Sequence, residues 1–356
     1  MAKSKTLIKG NYAIAEAAIR SGCTFFAGYP ITPQSDIPEY MSSRMPEIGG
    51  TFVQSESEIA GISMVYGAGA CGYRAMTSSS GPGISLMQEG ISYMASSEVP
   101  AVIVDITRYG CGLGDISPSQ GDYLQVAKNG GHGDYRCIVL APGFLQEAVD
   151  DMPLAFELAE KYRNPVLVVC DGSIGQMIEA VDLPDGIKDH DANQFEWSIK
   201  HTRNGKHKTF CPPFYYDITI EENDRLVRQK YEDIKANEAR GETFYIEDAE
   251  LILVAYGTTS RICKEAVIKA RSEGLKLGLI RPMTLWPYPV DLFKTITPKA
   301  FLTVEMCVIP QMVEDVALAA RGIAPVYSFA TGSSYPSVKN IIEEANRAIA
   351  GGCKEV

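Results

Sequence analysis

No two of the nine cysteines, at positions 23, 71, 111, 137, 170, 211, 263, 307 and 353, stand within four residues of each other. The close pairs that hold zinc or iron–sulfur clusters are therefore missing, and an odd, dispersed set argues against a disulfide framework. Cys137 and Cys170 stand in or beside apolar runs, as small core residues do. No metal site is expected on this chain, and any redox centre belongs to another. Basic residues are also short: 33 Lys and Arg against 44 Asp and Glu give a net charge of −11. Without a strongly basic face to neutralise phosphates, nucleic acid is excluded as a partner. The longest apolar runs, such as Pro100–Ile106 and Pro165–Cys170, are strand-length, so no membrane span is expected. The start, Met-Ala-Lys-Ser-Lys, lacks an apolar signal core and reads as leading straight into a helix, which predicts a cytoplasmic protein. What remains is an ordinary soluble composition, 46% hydrophobic and 22% charged, and 356 residues suffice for two domains.

Helix-period and strand-like segments alternate from residue 10 to 172. Ile14, Ala17 and Ala18 follow the i, i+3, i+4 rule and predict a helix over Asn11–Ser21. Strands are expected at Thr24–Ala27, Gly50–Gln54, Arg74–Ser78, Ala101–Ile106, Ile138–Leu140 and Val166–Cys170. The helices between them are expected at Pro33–Arg44, Glu58–Ala70, Gly83–Ser96 and Phe144–Lys161. Such alternation implies a mostly parallel sheet covered on both faces. The polar stretch from Lys188 through Lys208, then Cys211-Pro212-Pro213, breaks the rhythm ahead of a charged helix at Glu221–Ala239. His190, His201 and His207 fall here without ligand-like spacing. The basic cluster Lys200–Lys208 reads as a solvated loop or as a contact for an anionic ligand. From Glu250 a second α/β unit begins, with strands at Leu251–Ala255, Lys276–Leu279, Phe301–Glu305 and Val326–Phe329. The predicted domains are therefore 1–182, a connector at 183–247, and 248–356.

Residues able to carry chemistry gather where strands end. In Gly28-Tyr29-Pro30-Ile31-Thr32-Pro33 the prolines fix φ and push Tyr29 and Thr32 towards extended conformations. The Thr32 hydroxyl is thereby held where open α/β sheets bind ligands, and it also occupies an expected helix N-cap; the two roles are compatible. Ser57 is another cap, and Glu58 then lies in a first helical turn that favours its charge. The glycines and alanines that follow point to tight backbone contact, since helix propensity disfavours the glycines. Thr77-Ser78-Ser79-Ser80-Gly81-Pro82-Gly83 offers hydroxyls and amides to an oxyanion or a polar ring, without the Gly-Lys-Ser/Thr ending of a P-loop. Arg108, beside the glycine-rich Tyr109–Gly114, suits a carboxylate or phosphate clamp, or a salt bridge to Asp105 or Asp115. His132, in Gly130-Gly131-His132-Gly133-Asp134-Tyr135, sits on a loop that either closes over a site or serves structure alone. Val169-Cys170-Asp171-Gly172 with Asn193 lacks the leading glycine of the GDG…N signature for Mg²⁺ and a diphosphate, and reads as a strand-end turn.

Together and in this order, these elements resemble the alpha subunit of the 2-oxoacid:ferredoxin oxidoreductases, of the short-alpha type that acts on branched-chain 2-oxoisovalerate or on 2-oxoglutarate. The resemblance runs through Tyr29–Pro33, Ser57-Glu58, Thr77–Gly83, Arg108, Gly131-His132-Gly133-Asp134 and, in the second unit, Arg281-Pro282-Met283-Thr284-Leu285-Trp286-Pro287. It covers nearly the whole chain except the connector. It implies an α/β fold: a pyrimidine-domain parallel sheet that binds thiamine diphosphate, followed by a smaller domain like the C-terminal domain of transketolase. The implied activity is oxidative decarboxylation of a 2-oxoacid with coenzyme A, giving acyl-CoA, carbon dioxide and reduced ferredoxin, as in anaerobic metabolism. Glu58 would hydrogen-bond the aminopyrimidine of the cofactor, with Tyr29, Pro30, Ile31, Ser79 and Ser80 also lining it. Thr32, Arg108 and His132 would face the substrate, Arg108 pairing with its carboxylate; Glu58, Thr32 and Arg108 are the residues implied in catalysis.

The resemblance also implies that this chain holds only half an active site. A beta subunit would carry the diphosphate–Mg²⁺ half and an iron–sulfur cluster, and a gamma subunit and a ferredoxin-like delta subunit would complete a heteromultimer that is active only when assembled. Branched-chain 2-oxoacids are the preferred reading, because 2-oxoglutarate needs a second cation and the first-domain loops offer little beyond Arg108 and Lys128. The other readings are a 2-oxoglutarate enzyme forming succinyl-CoA, a thiamine enzyme without clusters, and a non-catalytic assembly subunit.

Overall fold

The computed structural model describes residues 5–199 and 219–353. The basic run Lys200–Lys208, with His201 and His207, and Cys211 lie outside the described residues. Ahead of the first helix the chain forms a short strand, β1 (Thr6–Lys9), where the sequence reading expects a helix at once. Alternation then runs through α1 (Gly10–Arg20), β2 (Phe25–Gly28), α2 (Asp36–Glu47), β3 (Thr51–Gln54), α3 (Glu58–Ala70), β4 (Ala75–Ser79), α4 (Pro82–Ser96) and β5 (Ala101–Thr107). It continues with α5 (Tyr123–Ala127), β6 (Ile138–Leu140), α6 (Leu145–Tyr162), β7 (Pro165–Asp171), α7 (Gly172–Gln176) and β8 (Ile178–Val181). After the connector come α8 (Ile220–Glu238), β9 (Gly241–Phe244), β10 (Leu251–Val254), α9 (Gly257–Ser272), β11 (Leu277–Pro282) and β12 (Thr284–Trp286). The last elements are β13 (Ala300–Glu305), α10 (Val313–Ala320), β14 (Val326–Ala330) and α11 (Val338–Ile349).

Seven strands form the first sheet in the order β12-β6-β7-β5-β4-β2-β3, parallel except for β12. Its central strands β5 (AVIVDIT) and β7 (PVLVVCD) are buried at every position, as parallel strands covered on both faces must be. One face packs on α1, α2 and α6 through residues such as Ile14, Met41 and Val149. The other packs on α3 and α4, and the same apolar cluster runs on into Ile252, Tyr256, Phe293 and Phe301 of the second unit. The second sheet has the order β14-β13-β10-β11-β9, with α9 and α11 against its outer face. No described helix is long and apolar enough to cross a membrane.

Sheet membership does not follow the expected boundary at 247/248. β9 lies before it yet pairs antiparallel with β11, whereas β12 lies after it and pairs antiparallel with β6 of the first sheet. Strand exchange of this kind is non-local, and no composition shift marks it. Arg281 fastens the crossing: its Nη1 donates to Glu147 Oε1 on α6 at 2.9 Å and to Glu242 Oε1 on β9 at 3.1 Å, and its Nη2 donates to Glu147 Oε2. The guanidinium is only 4% exposed, so breaking the pair strands a buried charge. Arg281→Met is expected to lower unfolding free energy by about 2–3 kcal/mol, less than a fully buried pair because Glu242 is half-exposed. Urea titration of the two proteins checks this, and coincident midpoints would contradict the strapping role.

Candidate active site

β2 and β4 are neighbours in the first sheet, yet the connections that leave them go to opposite faces. Ile37 and Met41 of α2 join the core around α1 and α6, whereas Ile84 and Met87 of α4 join the core on the other side. A crevice opens at the carboxyl ends of such a strand pair, and open α/β sheets take ligands there.

One wall is the turn after β2. Tyr29, Pro30 and Thr32 are exposed and Ile31 is half-buried. Helix α2 starts at Asp36 rather than Pro33, so Thr32 is not its cap; Ser35 holds the N-cap position without a side-chain hydrogen bond. The cause is Gln34. It is fully buried, donates from Nε2 to Tyr29 O at 3.0 Å, and accepts from Ser78 Oγ at 2.6 Å, which leaves a turn before the helix can begin. The other carbonyls of the turn are also taken. Thr32 O accepts from Arg108 Nη1 at 3.0 Å, and Pro33 O accepts from Asn11 Nδ2 at 2.8 Å and Gln176 Nε2 at 2.9 Å. The backbone is held from three sides and the Thr32 side chain faces out.

The floor is the segment after β4. Thr77, Ser79 and Ser80 are fully buried, and none of their hydroxyls has a hydrogen-bond partner among the described residues. Glu58 opens α3 against this floor. Its cap is as expected, Ser57 Oγ accepting from Ala60 N at 3.2 Å. The Glu58 side chain is 5% exposed and has no hydrogen-bond partner among the described residues. Gly83 allows the approach: a Cβ there would sit 2.0 Å from Ser79 Oγ and 2.6 Å from Glu58 Oε1. A buried acid and the Ser79 hydroxyl thus converge at Gly83, with the unpartnered hydroxyls of Thr77 and Ser80 on the same segment.

Arg108 closes the other side. It is 8% exposed, lies beside Gly81, and donates to the carbonyls of Thr32 and Leu113, while its Nε is buried without a partner. Among the described residues it forms no ion pair, so neither expected salt bridge is made. Asp115 instead accepts from the Ser117 amide at 2.8 Å and from its hydroxyl, and Asp105 sits inside the fold. A buried guanidinium tied only to carbonyls keeps its charge available to an incoming carboxylate.

His132 is not brought to this crevice. The amide of Gly130 donates to Gln88 Oε1 at 3.0 Å, and a Cβ on Gly131 would meet Gln88 and Ser92, so the loop lies along the middle of α4. His132 there lines a cavity of about 780 Å³ with Tyr93, Ser96 and Leu226. Lys128 is paired with Asp315 in the second unit. Asp171 caps α7, accepting from Ser173 N at 3.0 Å, and reaches Thr258 N at 3.3 Å, whereas Asn193 turns back onto Asp191. Asn11, Gln34 and Gln176, which pin the turn, escape the sequence reading. They belong to no motif and become neighbours only when α1, α2 and α7 pack together.

The model of the pyruvate flavodoxin/ferredoxin oxidoreductase thiamine diphosphate-binding domain matches residues 16–239, and that of pyruvate:ferredoxin oxidoreductase core domain II matches residues 249–341. The chain is 46% identical over 349 residues to the ketoisovalerate oxidoreductase subunit VorB of Methanothermobacter thermautotrophicus, covering 97% of this chain and 98% of that protein. It is 39% identical over 334 residues to the 2-oxoglutarate synthase subunit KorA of Methanocaldococcus jannaschii, covering 84% and 87%. Among solved structures, the 2-oxoglutarate:ferredoxin oxidoreductase of Magnetococcus marinus, with 2-oxoglutarate, coenzyme A and succinyl-CoA bound, superposes with a TM-score of 0.86 at 28% identity. That likeness covers 98% of this chain and 66% of the other.

Two glycine substitutions separate close packing from propensity in the same region. Gly83→Ala is expected to destabilise by about 1–3 kcal/mol, because Ser79 and Glu58 must both shift. Gly67→Ala, inside α3 with nothing within 4 Å, is expected to be stabilising by about 0.5–1 kcal/mol. Denaturant midpoints check the pair, and the same sign of change for both would refute this account of the floor.

Proposed function

The chain belongs to the 2-oxoacid:ferredoxin oxidoreductases, and from that premise we propose that it holds the pyrimidine side of a shared thiamine diphosphate site, in an enzyme converting a branched-chain 2-oxoacid and coenzyme A to acyl-CoA with reduction of ferredoxin. The observation that carries the reading is the buried guanidinium of Arg108, with no ion-pair partner among the described residues, at the same crevice as Glu58, Ser79 and Ser80. The residues present fit the cofactor. A polar heteroaromatic ring needs hydrogen-bond partners in a dry space, and the buried carboxyl of Glu58 with three unpartnered hydroxyls offers them. Tyr29, Pro30 and Ile31 would line the same space from the turn.

When bound, thiamine diphosphate supplies the carbon nucleophile and the electron sink for decarboxylation. Glu58 would accept a hydrogen bond at the edge of the aminopyrimidine ring and hold it in the orientation that permits proton transfer. Arg108 would pair with the carboxylate of the 2-oxoacid, and the outward Thr32 hydroxyl would contact the substrate beside it, fixing its approach. His132 has no part in this arrangement. The Mg²⁺–diphosphate half and the iron–sulfur clusters would be held by partner subunits: beta for the half-site and a cluster, with gamma and ferredoxin-like delta chains completing the assembly. Ile59 and Met64 of α3 and Leu86 and Tyr93 of α4 leave apolar surface exposed on the two helices that meet at Glu58 and Gly83, as a subunit contact requires.

Two observations favour a branched-chain substrate. Lys128, the other cation considered for a distal carboxylate, is engaged by Asp315. Leu113 and Ile116 present exposed apolar side chains from the loop that Arg108 holds. The 2-oxoglutarate reading keeps the support of the relatives named for that substrate.

In the assembled complex, Glu58→Gln is expected to cut turnover by roughly 10²–10⁴-fold with little change in substrate KM, the span of a lost proton-transfer partner. Arg108→Gln is expected to raise the 2-oxoacid KM by roughly 10–100-fold, the loss of a charge-assisted hydrogen bond. Acyl-CoA formation across a panel of 2-oxoacids reads the substrate, and a strong preference for 2-oxoglutarate would overturn the branched-chain assignment. Full turnover by Glu58→Gln would leave only the assembly role.

A further inference from the structure

Two carboxyl groups lie under the floor of the crevice and take no part in the chemistry above. Asp105, near the end of β5, is fully buried, and neither of its oxygens has a hydrogen-bond partner among the described residues. Asp122, at the N-cap position of α5, accepts from Gln125 Nε2 at 2.7 Å through Oδ1, while its Oδ2 is buried without a partner. Both lie against one glycine. A Cβ on Gly81 would stand 3.6 Å from Asp122 Oδ2 and 3.7 Å from Oδ1, and the Gly81 amide faces both carboxyls without a well-formed hydrogen bond to Asp105. Arg108 Cγ is 3.8 Å from the same point. Strand register sets Asp105 beside Ser79, whose hydroxyl is another of the unpartnered groups.

An isolated carboxylate cannot be kept charged in such a place, because burial without hydrogen bonds costs far more than taking up a proton. Two neighbouring carboxyls also resist ionising together. Burial and the charge of Asp122 push Asp105 well above the usual carboxylate range. Burial pushes Asp122 up to about 6, with Gln125 and then Arg108 holding it from rising further. The other titratable groups facing the pair are Cys170, on β7 beside Asp105, and Tyr256, ahead of α9 and facing Asp122; burial pushes both well up, so they stay neutral.

We propose that Asp105 and Asp122 together keep one proton beneath the Gly81 turn at neutral pH, and that this pair is a positioning element that sets how strongly Arg108 draws an anionic substrate. At neutral pH Asp122 carries the single negative charge and Asp105 the proton. The charge beside Arg108 offsets part of its attraction for a carboxylate. As pH falls through about 6, Asp122 takes up a second proton and the full charge of Arg108 faces the crevice. As pH rises through the same region, the offset returns and substrate binds more weakly. The effect on substrate rests on the clamp reading of Arg108; the shared proton does not.

The assembled wild-type complex, Asp122→Asn and Asp105→Asn separate these claims. In the wild type the 2-oxoacid KM is expected to rise as pH rises through about 6, by up to roughly tenfold, the size of one pK unit of coupling. Asp122→Asn is expected to hold the low KM flat across that range with kcat little changed, since Asn keeps the shape without the charge. Infrared difference spectra of the cofactor-free complex at mildly alkaline pH are expected to show a protonated carboxyl band that Asp105→Asn removes and Asp122→Asn retains. A wild-type KM indifferent to pH, or an Asp122→Asn profile matching the wild type, would overturn the coupling to Arg108. A band missing from the wild type would overturn the shared proton. If Arg108→Gln leaves KM unchanged while the band behaves as expected, the clamp reading fails and the proton pair stands.

Discussion

A buried polar atom needs a partner, and leaving one without costs about 1–3 kcal/mol. Of the fifteen buried side-chain atoms without a partner among the described residues, seven belong to Thr77, Ser79, Ser80, Asp105, Arg108 and Asp122. Five of the six residues lie in or just past β4 and β5, and Asp122, at the N-cap position of α5, meets them at Gly81. β5 is apolar for most of its length, Val102, Ile103, Val104 and Ile106 being fully buried, whereas β4 turns polar after Ala75 and Met76. The same two strands therefore supply cohesion along their length and concentrate unmet polar demand at one end. Stability drawn from the sheet offsets an arrangement that would be untenable as an isolated patch.

The turn at Tyr29–Pro33 shows how that demand is kept in place. Its carbonyls are engaged by Gln34, which follows the turn directly, and by Asn11, Gln176 and Arg108, which arrive from α1, α7 and the loop after β5. Arg108 serves twice in this respect. Two of its nitrogens fix backbone on either side of the crevice, and the lack of an acid at ion-pair distance leaves its charge unspent. A lysine could not do both, since a single ammonium has neither the planar fork nor the reach across two carbonyls.

How much of this is legible in the sequence depends on whether the cause is local. Periodicity and one cap suffice for α3, whose observed bounds, Glu58–Ala70, are the expected ones, and three apolar residues suffice for β6. Thr32 and Arg108 draw attention because proline and a strand-ending arginine carry meaning where they stand, and the fold sets both at the crevice. Local signals fail once the deciding contact is remote. The sequence around Pro33 argues for a helix start, and only the reach of Gln34 to Ser78 delays it to Asp36. His132 looks functional beside three glycines, yet Gly130 and Gly131 are there to lie on Gln88 and Ser92. Asp105 reads as a strand residue or a salt-bridge partner for Arg108, and Asp122 carries no motif; that the two meet at Gly81 is visible only in the fold.

The second unit is joined to the site by one side chain in particular. Gln120 sits in the loop that carries Arg108 at one end and Asp122 at the other, and it is 3% exposed. Its amide donates to Met306 O at 2.7 Å and its Nε2 to Tyr256 O at 2.9 Å. Its Oε1 accepts from Thr259 Oγ1 at 2.8 Å and from the amide of Met306 at 2.9 Å. Every hydrogen-bonding group of that side chain is thus committed to the smaller unit. Arg281 and β12 bind the two units on the opposite edge of the first sheet, so the crossing there is fixed. A rotation of the smaller unit about that edge has to be absorbed between Arg108 and Asp122, because Gln120 cannot let go without stranding four buried groups. The geometry of the guanidinium and of the carboxyl beneath it is therefore set by the packing of both sheets, and a pyrimidine domain cut away from its second unit would keep Glu58 in place while losing the alignment of Arg108.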